Sequence, residues 1–242
     1  MENYNSNNVS EVAYSGLHVT NEVMSTLLRK VYAWMFLSLL LTGFTAFAVS
    51  NNYNLLEMIY SNAATIWILI IAQLGLAILF TARLHKMSLP VCGLLFALYS
   101  VLTGVMFSSI FALYTYESIA STFFITAGTF GAMSLYGYFT KKDLTSIGRF
   151  LFMGLIGLII ASLVNLFLQS SMVTWITTYV GVLIFVGLTA YDTQKIKEML
   201  LLHSQDGLTE NSMKVALFGS FMLYLDFINL FLKLLRIFGR RR

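Results

Sequence analysis

The sequence predicts an all-α membrane protein, a bundle of seven transmembrane helices. Three observations predict it. Of 242 residues, 58% are hydrophobic and 11% are charged, whereas soluble domains carry roughly 25% charged residues. The mean hydropathy is +0.77. The apolar residues fall into seven runs, each near the roughly 20 residues that a helix needs to cross hydrocarbon. Such a chain cannot cover a water-facing surface with polar groups. A net charge of +4 and a pI near 9.1 do not indicate nucleic acid as a partner, because the basic residues lie between apolar runs.

In chain order, residues 1–28 form a polar N-terminal tail, expected to be flexible and cytoplasmic. It lacks the charged-then-apolar start of a cleavable signal peptide, so the first span is expected to act as the insertion signal. Leu17, Val19, Val23 and Leu27 offer a short amphipathic face that could lie on the membrane. Residues 29–242 form the transmembrane domain. Its spans are expected at about 31–50, 63–82, 90–110, 118–139, 148–168, 174–194 and 215–235. Pro90 opens the third, where a proline in the first turn removes no helical hydrogen bond. Ala127 with Gly131, Gly128 with Ala132, and Gly154 with Gly157 put small residues about one turn apart, which suits close packing of helices in lipid. Cys92, the single cysteine, excludes an intrachain disulfide and reads as core.

Charge orients the spans. Arg29, Lys30, Arg83, Lys86, Lys141, Lys142, Arg149, Lys195, Lys197 and Lys214 all fall before span one or in the even-numbered loops. The odd-numbered loops hold no lysine or arginine. By the positive-inside rule, the N-terminus and the even-numbered loops are cytoplasmic. Lys233, Arg236, Arg240, Arg241 and Arg242 run against this pattern. Either the tail follows span seven to the outside or span seven is re-entrant.

Two carboxylates lie inside apolar runs, Asp192 in "GLTAYDTQKIK" and Asp226 in "LYLDFINLF". A charged aspartate at a helix centre costs roughly 2.5–3.5 kcal/mol on insertion scales. Asp226 must therefore be paired, protonated or facing water. Asn229 shares its face, and Lys233 follows two turns later. Asp192 has Thr189 and Lys195 on its own face, and a pair with Lys195 would contribute only a few tenths of a kcal/mol. Arg83 ends span two at a similar depth and is either an alternative partner, a latch between helices, or a plain basic anchor at the inner face. Counted from Val215 at ~1.5 Å per residue, Asp226 lies roughly 16 Å deep, deeper than Asp192. The two meet only if span seven begins outside the hydrocarbon or a water-filled cavity reaches both.

"GLTAYDTQKIK" followed by "LYLDFINLFLKLL" resembles the signature of the transmembrane Bax inhibitor motif family, the Bax-inhibitor-one-like proteins of bacteria and eukaryotic internal membranes. "FTARLHKMS" and "YGYFTKKDLTSIGRFLFMGLIGLIIASLVN" agree, and the resemblance covers about residues 25–238. It implies a bundle with the seventh helix central. It also implies a pH-sensitive calcium leak channel of bacterial type whose sensor is an aspartate pair, here Asp192 and Asp226, with Arg83 as latch. Two carboxylates in one low-dielectric site do not both ionise readily and titrate as a unit. A shared proton would join helices six and seven. Its loss would leave repelling charges that call for a cation. Calcium prefers six to eight oxygens, and the two carboxylates with Thr189, Asn229 and water could form a transient site rather than a tight one.

No catalytic constellation is visible. His18, His85 and His203 are far apart in tail and loops, so no enzyme and no cofactor is expected, with calcium as permeant ion only. Ser162, Asn165, Gln169 and Glu117 could bond helices together or line an outer vestibule. Two other functions remain open. One is a non-channel regulator in stress protection, acting with a membrane protease through the tail. The other is a proton-coupled transporter. The expected setting is the bacterial inner membrane, with the lipid bilayer, calcium ions and protons as partners.

Overall fold

The computed structural model describes the backbone of residues 6–205 and 207–242, with side chains from residue 21 onward. Eight helices follow one another: α1 (Ser6–Ser50), α2 (Tyr53–Tyr60), α3 (Ala63–Arg83), α4 (Leu89–Leu113), α5 (Tyr116–Phe139), α6 (Thr145–Leu168), α7 (Ser171–Ser204) and α8 (Glu210–Phe238). Seven are long and apolar enough to span a bilayer, all except α2. The chain is an all-α integral membrane protein of the class its composition predicted.

Local chemistry sets the helix ends. Asn62 Oδ1 accepts from Ala64 N, Thr115 Oγ1 from Ser118 N, Ser170 Oγ from Val173 N, and Thr209 Oγ1 from Ser212 N. Each bond satisfies a donor that the first turn leaves open. Pro90 stands in the first turn of α4, as expected. Asp143 accepts from Thr145 N at 2.8 Å before α6. The Thr145 hydroxyl and amide hold this loop carboxyl below its ordinary value.

Helix α8 is the axis. In its most apolar stretch 72% of the residues are buried, against 6% in α3 and in α6. It packs on α1, α4, α5 and α7. Tyr224, fully buried, ties three helices together: its hydroxyl lies 2.7 Å from Thr42 Oγ1, which is 3.0 Å from Ser100 O. An aromatic cluster surrounds this knot, with Phe221 centroid distances of 4.7 Å to Phe80, 5.0 Å to Tyr99 and 5.5 Å to Phe96.

Several expectations change. The segment expected as a flexible tail is part of α1 from Ser6 onward, and Val23, Met24 and Leu27 belong to the bundle's buried cluster. Val23 and Leu27 therefore pack on protein rather than on membrane, while the Leu17 and Val19 side chains lie outside the described residues. Helix α2, between the first two spans, has no counterpart in the apolar runs. Its Tyr60 hydroxyl donates to Met106 O at 2.9 Å, fastening it to α4. Of the small residues, Gly154 packs against Ile184 of α7, but Gly128, Gly131 and Gly157 face open space. The close helix approach falls at Gly137, where a Cβ would overlap the Ala190 carbonyl group of α7.

Span seven is not re-entrant. Helix α8 runs unbroken for 29 residues, from a start beside α4, where Glu210 Oε1 accepts from Leu89 N, to the opposite end of the bundle. There Arg242 N donates to Leu113 O at 3.0 Å, Thr115 N donates to Arg240 O at 3.1 Å, and the Arg242 guanidinium lies 4.6 Å from the Tyr116 ring centre. The basic tail is bolted to the α4–α5 connection, on the face away from the lysine-rich loops.

Two measurements check this architecture. In a Cys92→Ser background, single cysteines at Lys142 and Arg242 should react with an impermeant thiol reagent from opposite sides of the membrane; labelling from one side would overturn the crossing of α8. Gly137→Ala should destabilise the protein by about 1–3 kcal/mol through overpacking, read as a lower melting temperature in detergent. Gly157→Ala should stay within about 0.5 kcal/mol.

Candidate functional site: a paired-carboxylate cavity

Helices α7 and α8 face each other through polar stripes. On α8, Met222, Leu225, Asp226, Asn229 and Lys233 recur at helical spacing, and on α7, Leu188, Tyr191, Asp192 and Lys195 do the same. Together with α6 they line a cavity of about 970 Å³, which Leu74 and Ala77 of α3 and Tyr99 of α4 complete. Gly148 of α6 gives the Tyr191 ring room to lie flat against that helix.

The structure brings Asp192 and Asp226 together. Their carboxyl groups are within hydrogen-bonding reach of each other. Asp226 is 5% exposed, and its Oδ2 has no hydrogen-bond partner. Two carboxyl groups can hydrogen-bond only when one carries a proton. The depth estimate fails because both helices overshoot the hydrocarbon. Helix α7 continues to Ser204 and α8 starts at Glu210. Measured from these adjoining ends at ~1.5 Å per residue, Asp192 is about 18 Å and Asp226 about 24 Å along its helix. The remaining offset is small enough for the side chains to close.

Other expected site residues fall elsewhere. Arg83 is exposed at the end of α3, does not line the cavity, and among the described residues forms no ion pair with Asp192. The cations at the cavity are Arg149, Lys195 and Lys233. Lys195, one turn beyond Asp192, is the cation whose field acts on it. Its ammonium lies 5.8 Å from the Tyr191 ring centre. Thr189 is fully buried and its hydroxyl donates to Phe185 O at 2.8 Å, so it turns away from the pair. Asn229 lines the cavity and donates from Nδ2 to Leu225 O at 2.8 Å, leaving its Oδ1 as a further oxygen beside those of the two carboxyls. Among the described residues no group of three His, Cys, Asp or Glu gathers here. Two carboxyls and one amide oxygen fall short of the six to eight oxygens of a tight calcium shell. They suit at most a transient encounter.

The basic face holds a second ordered element. Gln194 Oε1 accepts from Leu144 N and its Nε2 donates to Lys142 O, both at 2.9 Å. Lys197 Nζ donates to Tyr138 O at 2.8 Å. These bonds clamp the α5–α6 loop to α7 close to Asp192. At the opposite face, Asn165 staples the α6–α7 turn: Oδ1 accepts from Ser170 N and Nδ2 donates to Thr174 Oγ1. Asn165 and Gln169 also line a cleft there with Arg236 and Arg241. Ser162 donates to Leu158 O within α6, and Glu117 does not line that cleft.

Fold and site define a seven-span membrane protein with two carboxyl groups, one of them buried, between its last two helices. The chain belongs to the Bax inhibitor family: residues 24–242 match the family model described as "Inhibitor of apoptosis-promoting Bax1". It is 53% identical over 220 residues to the "Inner membrane protein YbhL" of Escherichia coli K12, covering 90% of this chain and 93% of that one. It is 48% identical over 225 residues to an uncharacterized protein of Rickettsia prowazekii, covering 92% of each. With an uncharacterized membrane protein of Streptococcus pyogenes it shares 33% over 213 residues, 87% of this chain and 91% of that one.

A proton shared between the carboxyls would make stability depend on pH. In the unfolded chain the two groups are apart, so a folded state that shares a proton binds more protons, and its stability falls as pH rises. In detergent with a calcium chelator, the melting temperature should drop by about 4 °C between about pH 5 and about pH 8. Asp226→Asn should remove that slope; an unchanged slope would show that the carboxyls do not share a proton.

Proposed function

We propose that this protein is a pH-sensitive cation leak pathway, conducting calcium, gated by protonation of the Asp192–Asp226 pair. The observation that carries this is the contact between two carboxyl groups on the central helix and its neighbour, at the wall of a cavity large enough to hold water. The gate follows from elementary electrostatics. With one proton shared, α7 and α8 are joined by a short hydrogen bond. Without it, two negative charges repel at close range in a medium of low dielectric. The helices must then part, or a cation must enter between them. A few oxygens and no closed coordination shell suit an ion that passes rather than stays.

Arg83 has no part in this gate as the structure stands. Arg149 and Lys195, exposed at the lysine-rich end of the cavity, are better placed to meet the deprotonated pair. We place the protein in a bacterial inner membrane, as the name of the Escherichia coli relative supports. The ten basic residues before span one and in the even-numbered loops support a cytoplasmic N-terminus. The C-terminus, at the other end of α8, then lies outside.

Calcium flux into liposomes holding the purified protein tests the proposal. Flux should change several-fold between about pH 5 and about pH 8 in the wild type. It should become insensitive to pH in Asp226→Asn and in Asp192→Asn. No flux above empty liposomes at any pH would reject the channel and leave the aspartates as structural glue in a regulatory protein. Saturable uptake that needs a proton gradient would reject the leak in favour of a transporter.

A further inference from the structure

Lys233 is a lysine in the wrong place for an anchor. It lies on α8 two turns beyond Asp226, toward the opposite face, and it lines the same cavity. A lysine near a helix end ordinarily extends its ammonium to the interface. This one does not. A Cβ placed on Gly181 of α7 would stand 2.8 Å from Lys233 Cε and 3.1 Å from its Cδ. Gly181 is ten residues into α7 from Ser171, which at ~1.5 Å per residue puts it about 15 Å from that helix end. The stem of Lys233 therefore lies against Gly181 of α7 at depth, where an added Cβ would meet it. Among the described residues it has no carboxylate within the 4.0 Å of an ion pair. Arg236, one turn on, is the nearest charge on its own helix. From the other walls, Asp192 and Lys195 of α7, Arg149 of α6 and Tyr99 of α4 face the cavity, while α3 offers only Leu74 and Ala77.

We propose that Lys233 is the electrostatic barrier that limits cation passage between the aspartate pair and the opposite face. This deepens the channel function proposed above and rests on it. A cation that leaves the carboxyl pair toward that face must pass a fixed positive charge in a low-dielectric wall, where repulsion is poorly screened. Fixed cations act as barriers of this kind in other pores. The pathway then has an attracting carboxyl pair and a repelling ammonium in series, which makes it a slow leak rather than an open pore.

The test is calcium flux in liposomes at the pH where the wild type conducts best. Lys233→Gln should raise flux about tenfold, the order expected for removing one charge from such a path. Lys233→Arg, which keeps the charge, should stay within about twofold of wild type. In a Cys92→Ser background, Lys233→Cys should conduct like the glutamine variant. Attaching an aminoethyl group to that cysteine through a thiosulfonate reagent should lower the flux again, and a neutral methyl group should not. A merely structural lysine would not respond to restored charge. A folded Lys233→Gln protein with wild-type flux, while Asp226→Asn still abolishes the pH response, would overturn the barrier and leave the channel standing. No flux in either wild type or Lys233→Gln would overturn both.

Discussion

The structure turns on one constraint: the helix at its centre carries a carboxyl group that hydrocarbon will not tolerate. Asp226 is buried on α8, and everything that packs on α8 must either keep lipid away from it or give it a partner. The two sides of the helix divide that work. One side presents Phe221, Tyr224 and Phe227 to α1, α4 and α5, and is sealed by aromatic contacts and by the Tyr224–Thr42 hydroxyl pair. The other side presents Asp226, Asn229 and Lys233 to a cavity and to α7. A helix with two such unlike faces cannot sit at the rim of a bundle. Its apolar side needs protein to pack on and its polar side needs shelter, so the last helix in the sequence becomes the first in burial.

The same constraint explains the lengths of α7 and α8. A pair of helices cut to the hydrocarbon thickness would place their two aspartates at different levels. Helix α7 instead runs ten residues past the expected end of its span, and α8 begins five residues earlier than expected. The projecting ends are not idle. Leu200 and Leu217 lie in one buried cluster with Val23, Met24 and Leu27 of α1, so the overshoot is supported by packing beyond the membrane core. Gln194, on the stretch of α7 just past Asp192, holds the α5–α6 loop. Any change in the spacing of α7 and α8 at the aspartates would pull on that loop.

Much of this was legible in the sequence, and what was not has identifiable causes. The seven spans follow from hydropathy because the backbone must satisfy itself in lipid. Asp192 and Asp226 stood out because a carboxylate in an apolar run is expensive, and their meeting was implied by the motif. Arg83 illustrates the limit of such reasoning. Depth along a helix says nothing about azimuth, and Arg83 does not line the cavity while Arg149, a loop-end cation by sequence, borders it. Thr189 failed for a local reason: a buried threonine hydroxyl in a helix finds the carbonyl four residues back more easily than a distant carboxylate. Gly128 and Gly131 failed because small-residue spacing marks where helices could approach, whereas Gly137 marks where they do. The helical reach of α1 was hidden by polar composition, since its burial depends on partners nearly two hundred residues away.

The spacing within the polar stripe of α8 decides what kind of site this can be. Asp226 and Lys233 lie on one face but seven residues apart, about 10 Å along the axis. The intervening position on that face is Asn229, which is uncharged and spends its amide on Leu225 O. A lysine at 229 or 230 would lie one turn from Asp226 and bind it directly. Such a pair would offset the charge of Asp226 from outside the carboxyl pair. By standing off two turns, Lys233 leaves the two aspartates to settle their charge between themselves. The cavity can therefore hold a lysine and two carboxyl groups at once, without one cancelling the other.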